Sequence, residues 1–212
     1  MELERPGSLG ATQDDTLSVN IACSKYEVGE GMEFCGKKYL ASYKSRWIVP
    51  PDILFVAKAK GKVVGTGGLD LGSKHHHIGA EKYYHLTPRM EEFINASRNN
   101  LAEFGRFSSV RQDAAKAIFH ATISYLEKHG VTYLFAWANP SIYTHLKDRL
   151  GIPFWVVQVP VNRQAVIEDT DWETPPVEFF FRRNPPNLLI SIVPFWDLVN
   201  RNLGPSENSC GG

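Results

Sequence analysis

Residues Leu101 to Ile118 read L-A-E-F-G-R-F-S-S-V-R-Q-D-A-A-K-A-I. Leu101, Ala102, Phe104 and Phe107 form a short apolar run with an acid, Glu103, and a base, Arg106, set inside it. From Gln112 the period lengthens to that of a helix, so the stretch reads as strand, tight loop, helix. Charges inside a buried strand are costly unless paired or used, which marks Glu103 and Arg106 as candidate site residues. Gln112, Ala115 and Ala117 fit the spacing Q-x-x-G-x-A, with alanine where the glycine would stand. The first amides of a helix have no partners within it and carry the positive end of its dipole. A loop with small residues leading into such an end is suited to an anion, and a pyrophosphate would fit.

Outward from this stretch, Ile53 to Lys60, Gly61-Lys62 and Val63 to Leu69 read as a β-hairpin. Gly65, Gly67 and Gly68 stand inside its second strand, where glycine often marks close approach of another chain or a ligand. Upstream, Leu17, Val19, Ile21 and Cys23 alternate with polar residues, predicting a first strand over Thr16 to Cys23. Met32, Cys35, Tyr39 and Tyr43 recur at helical steps, predicting a helix over Gly31 to Trp47 that Pro50-Pro51 closes off. Gly72 to Tyr84 reads as a polar insertion, followed by a short helix from Pro88 with Thr87 as its cap.

Asp113 to His129 reads as a helix stopped by Gly130, then Val131 to Ala138 as a buried strand, then a helix from Asn139-Pro140 to Leu150-Gly151. Three further strands are expected at Phe154 to Val161, Val177 to Arg182 and Leu188 to Val193, before a short helix at Phe195 to Arg201. The whole predicts an α/β (α+β) fold: one domain over 16–203, a mixed, largely antiparallel sheet flanked by helices, with loose ends at 1–15 and 204–212.

These residues resemble a family. The strand, Q-x-x-G-x-A-like loop and helix are similar to the acyl-donor site of the GNAT acyltransferase superfamily, and the resemblance extends from Asp52 to Pro153. Within it, E-F-G-R-F at 103–107 resembles the E-x-S-R-F strand of acyl-homoserine-lactone synthases and N-acyl amino acid synthases, and the E-V-G-N-L strand of the thermostable haemolysin family. Gly68 stands where the lactone synthases carry an arginine, and their acidic cluster after the first helix is not evident.

The resemblance implies an acyl-CoA or acyl-carrier-protein thioester as donor and a small-molecule amine, an amino acid among the options, as acceptor. It implies Phe107, Ser108, Ser109, Arg111, Gln112, Ala115 and Ala117 as the donor-binding set, Glu103 as the catalytic base and Arg106 as the binder of a substrate carboxylate or headgroup. Glu103 and Arg106 equally suit a structural ion pair, but residues three apart on one strand face opposite sides unless a bulge intervenes. Many members of the superfamily place a tyrosine where Lys147 stands, with Tyr143 and His145 nearby. Phe154, Trp155, Phe179, Phe180, Phe181, Phe195 and Trp196 suit either an acyl pocket or the core. A non-catalytic acyl-binding or membrane-active protein on the same fold is the alternative.

Equal numbers of basic and acidic residues, 23 each, argue against a broad nucleic-acid-binding surface. Cys23, Cys35 and Cys210 have no metal-ligand spacing and cannot all pair in one chain, which suits a reducing cytoplasm. No basic leader with an apolar stretch opens the chain, and no membrane insertion is expected. His75-His76-His77 invites a metal reading, but consecutive loop histidines without Cys, Asp or Glu partners rarely converge on one ion, so no metal is expected.

Overall fold

In a computed structural model, the residues described are 16–75, 77–173 and 185–195. The expected loose ends, the strand at Val177 to Arg182 and all but the start of the helix at Phe195 to Arg201 lie outside them.

Seven strands form one sheet: β1 (Leu17–Ile21), β2 (Ile53–Ala59), β3 (Lys62–Leu71), β4 (Leu101–Ser109), β5 (Tyr133–Ala138), β6 (Trp155–Val157) and β7 (Asn187–Ile192), in the order β1-β2-β3-β4-β5-β7-β6. Every neighbouring pair is antiparallel except β4 and β5. Those two are joined by a crossover through a helix at Gln112–Lys128, as a parallel pair requires.

Helices α1 (Lys25–Tyr43), α2 (Gly79–Tyr83), α3 (Pro88–Ser97), α4 (Gln112–Lys128), α5 (Pro140–Leu150) and α6 (Arg163–Glu168) complete the described fold. Helix α1 starts six residues before the expected Gly31, because Ser24 and Glu27 form a reciprocal capping box. It packs so closely on β2 that a Cβ on Gly31 would lie 2.8 Å from Leu54 Cδ2. The other face of β2 turns Phe55 and Ala57 toward Ile118 and Phe119 of α4, alternation having assigned successive residues to opposite sides.

Helices α3 and α5 begin as their caps predict. Thr87 accepts from the Met90 amide and Asn139 from Ile142, each with proline next, and Gly151 ends α5 with φ 68°. The supposed polar insertion holds α2, whose Ala80 and Tyr83 are buried, and the expected strand from Phe154 to Val161 shortens to β6. Helix α6, six residues long, has no counterpart in the sequence-based expectation.

The glycines of β3 also find their reason. A Cβ on Gly67 would lie 2.6 Å from Ile118 Cγ2 and 2.9 Å from Phe104 Cζ, and one on Gly65 2.8 Å from Ile118 Cδ1. The close approach to Gly65 and Gly67 is that of α4, joined at Gly67 by Phe104 of β4.

Candidate active site

Strand β4 carries the site because it is irregular in its middle. Gly68 pairs with Gly105 and Thr66 with Ser108, so two residues of β4, Arg106 and Phe107, oppose one of β3. Arg106 takes a left-handed conformation, φ 47°, uncommon for a residue with a side chain. Its carbonyl is held by two side chains, accepting from Thr66 Oγ1 at 2.9 Å and from the Cys35 thiol at 3.4 Å. Parallel pairing with β5 covers Leu101 to Phe104 only, against Tyr133 to Ala136. Beyond that point the two strands part.

Two cavities flank β4. The larger, about 440 Å³, lies where the end of β4 turns into α4. Phe107, Ser108, Ser109, Arg111, Gln112 and Ala115 all line it, and α1 closes it with Lys38, Tyr39, Ser42 and Tyr43. The turn is set by Ser109, whose hydroxyl donates to the Arg111 carbonyl at 2.6 Å and accepts from the Arg111 amide at 3.2 Å. The Arg111 side chain lies along Asp113, Nη2 to Oδ2 2.6 Å. Ala117 is not brought to this cleft. At about 100° per residue it points well away from the side that Gln112 and Ala115 share, and the small-residue spacing does not place it against a ligand there.

Of the residues near the end of the site, His145 lines the cleft, Tyr143 packs on the core and Lys147 is exposed. Phe154 is core, whereas Trp155 and Phe195 are about half exposed and pair with each other. Phe179, Phe180, Phe181 and Trp196 lie outside the described residues.

The smaller cavity, about 230 Å³, has Glu103, Arg106 and Asp70 in its wall. The bulge brings Glu103 and Arg106 to this common space, yet they do not pair. The Arg106 guanidinium, 5% exposed, forms its ion pair with Asp70 and stacks on the Trp47 ring, 4.4 Å from the centroid. Glu103, 4% exposed, accepts from the Ala80 amide at 2.8 Å and from the Trp137 indole N–H at 3.0 Å. Burial pushes its carboxyl up to about 7, helped by the Asp70 charge one strand away and opposed by the two hydrogen bonds and by Arg106. A carboxyl poised there exchanges a proton near neutral pH.

An aromatic cluster joins the two cavities: Tyr43 on Tyr39 at 5.3 Å between ring centres, Tyr39 near Trp172 at 6.3 Å, and Trp172 on Trp47 at 4.2 Å. Sequence reading did not single out Asp70, Trp137, Trp47 or Trp172. For Asp70 the signal was available, since an acid inside an apolar strand is what selected Glu103.

Residues 24–174 match the family model described as thermostable hemolysin. The chain belongs to the thermostable hemolysin family. No curated protein matches it. Among solved structures, FeeM, an N-acyl amino acid synthase from uncultured soil microbes, is similar with a TM-score of 0.59 and 15% identity, covering 87% of this chain and 95% of its own. The AHL synthase LasI gives 0.53 and 9%, covering 85% and 91%. BjaI, a CoA-dependent acyl-homoserine lactone synthase solved with SAM and isopentyl-CoA, gives 0.53 and 11%, covering 86% and 85%. At these identities the likeness is one of fold, and the family member described here has the GNAT-like fold of those synthases.

One departure from the lactone synthase pattern has a steric basis. A Cβ at Gly68 would lie 2.7 Å from Pro51 Cγ, so this family member has no room for an arginine at that position. The three-histidine stretch also reads differently once folded. His76 lies outside the described residues, but His75 meets Asp52 and Asp70, acidic partners that its sequence neighbourhood did not offer. No helix among the described residues is long and apolar enough to cross a membrane.

Proposed function

We propose that this protein is an N-acyltransferase that moves an acyl group from an acyl-CoA or acyl-carrier-protein thioester to the amine of a small molecule, an amino acid or related metabolite. The observation that carries the reading is the division of labour along β4. Its end opens a cleft onto the start of a 17-residue helix, and its middle holds a buried carboxyl that titrates near neutrality.

In this reading the donor's phosphates lie against Ser108, Ser109, Arg111 and Gln112, with Ala115 keeping the first turn of α4 open to them. The thioester reaches the gap where β4 and β5 part. The amine nitrogen attacks the carbonyl carbon from the Glu103 side, forming the C–N bond. Glu103 takes the amine proton, the C–S bond breaks and the thiolate leaves, a tolerable leaving group that takes a proton from solvent. Arg106 and Asp70 serve as a fixed charge pair that can orient a polar acceptor.

The test is to incubate the protein with acyl-CoA and acyl-carrier-protein donors of several chain lengths and a panel of amines, following free thiol and amide product by mass spectrometry. Amine-dependent thiol release with matching amide supports the reading, and no release and no donor binding by calorimetry with any donor overturns it. A membrane-active protein would instead leak dye-filled liposomes at low protein concentration, and Glu103→Gln would leave that leakage unchanged.

A further inference from the structure

Asp52 and His75 are used by nothing above, and together with Asp70 they form a cluster beside the smaller cavity. Asp52 stands just before β2, Asp70 near the end of β3, and His75 just after the single helical turn Gly72–Lys74. Each presents one ligand atom, and the three atoms lie within 4.8 Å of one another. Asp70 and His75 both line the cavity that holds Glu103.

Within the cluster Asp52 is anchored by backbone and Asp70 by its ion pair with Arg106. The Asp52 carboxylate accepts from the Leu71 amide at 2.8 Å, fixing it across the β2–β3 pair, and the same oxygen lies 2.9 Å from His75 Nε2. Asp52 and Asp70 side chains are only 17% and 16% exposed, while that of His75 is 40% exposed and gives access from solvent.

Two carboxylates held this close repel unless a cation lies between or beside them. Arg106, buried, serves Asp70, and Lys74 approaches Asp52 Oδ1 only to 3.8 Å on a half-exposed, flexible stem. Lys74 can swing into solvent when a stronger cation arrives, whereas Arg106 stays packed on Trp47. One imidazole nitrogen with two carboxylate oxygens is a ligand set for borderline divalent ions, and three protein ligands leave further positions open.

We propose that Asp52, Asp70 and His75 bind one divalent transition cation of the zinc or manganese type at the mouth of the Glu103 cavity, with its open coordination positions facing that cavity. The imidazole ligates through Nε2, and the ion replaces Lys74 as the partner of Asp52.

The full chain, stripped with a chelator and dialysed, is titrated with Zn²⁺ and Mn²⁺ by calorimetry and with Co²⁺ by visible absorbance. One equivalent should bind, and Co²⁺ should show d–d bands without the thiolate charge-transfer band that binding at a cysteine would add. His75→Ala, on an exposed position that the core does not need, and Asp52→Asn, which keeps an acceptor for the Leu71 amide, should each weaken binding by about tenfold or more. His129→Ala, stacked on Tyr125 away from the cluster, should bind as the parent does. Circular dichroism confirms that each variant is folded. No binding of any of the three ions, or parental affinity in both His75→Ala and Asp52→Asn, overturns the proposal.

Discussion

A Cβ added at Gly79 would lie 2.3 Å from Oε1 of Glu103, a separation no pair of such atoms tolerates. Gly79 opens α2, and the amide of the next residue, Ala80, holds the other carboxylate oxygen. The backbone of α2 is therefore pressed against the carboxyl, and only a residue without a side chain fits. Gly79→Ala should turn the Glu103 carboxyl away, lowering turnover by about tenfold or more while costing about 1–3 kcal/mol of stability from overpacking. Thiol release and denaturant titration read the two effects separately. Undiminished turnover in a folded Gly79→Ala protein would show that the placement of this carboxyl is unimportant.

The raised carboxyl makes stability fall as pH rises. Below about 4.5, its ordinary value, Glu103 is protonated in both folded and unfolded chains, and the fold bears no charge penalty. As pH climbs toward about 7 the unfolded carboxyl ionises first, so stability is lost progressively, with the loss complete above the folded value. The difference corresponds to roughly 3 kcal/mol. Comparing urea midpoints of the parent with those of Glu103→Gln between pH 4 and pH 8 isolates this contribution. A constant gap across that range would contradict the buried, raised carboxyl.

Asp70 is expected to set where that titration falls. Its charge raises the Glu103 value, so Asp70→Asn should move the acid limb of the activity profile to lower pH. The same change strands the buried Arg106, a cost of about 3–5 kcal/mol. The profile of kcat against pH, measured on the folded fraction, checks the direction. A shift to higher pH would mean that the loss of a fixed partner for Arg106, and not the Asp70 charge, governs Glu103.

How much of this was readable beforehand follows from distance along the chain. The β2–β3 hairpin, the β4 to α4 turn and both caps of α5 are written in contiguous residues, where the switch from period two to period 3.6 and the Asn-Pro start and Gly stop act locally. The larger cleft was legible for the same reason, since seven of its lining residues fall from Phe107 to Ala115. The surroundings of Glu103 were not. Ala80, Asp70 and Trp137 reach it from three different segments, and α2 and α6 are too short to show an apolar face. Ser24 and Glu27 did carry a capping-box signal for the true start of α1, one that the later apolar residues outweighed.

The glycines of β3 give a prediction about packing alone. Gly67→Ala places a methyl 2.6 Å from Ile118 Cγ2, so it should destabilise the protein by about 1–3 kcal/mol. Adding Ile118→Ala should recover part of that loss, giving a coupling energy in a double-mutant cycle. Strict additivity of the two changes would mean that α4 does not rest on Gly67.

Separating donor binding from proton transfer is the sharpest test of the proposed chemistry. Ala115 is buried against the larger cleft, three residues into the helix whose start would meet phosphates. Ala115→Leu should fill that space and weaken donor binding by about tenfold or more, with little effect on the Glu103 titration. Glu103→Gln should act the other way. It keeps an acceptor for one of the two N–H groups, leaves donor affinity nearly intact, and lowers turnover most just above about pH 7, where Glu103 is ionised and the amine is still largely protonated; at lower pH the parent carboxyl is protonated too and the two proteins converge. At high pH, where free amine is abundant, the deficit should shrink. Calorimetry with the thioester donor and turnover across pH measure the two quantities independently. Equal loss of donor affinity in both variants, or normal turnover of Glu103→Gln at every pH, would remove the division of β4 into a donor-binding end and a proton-accepting middle.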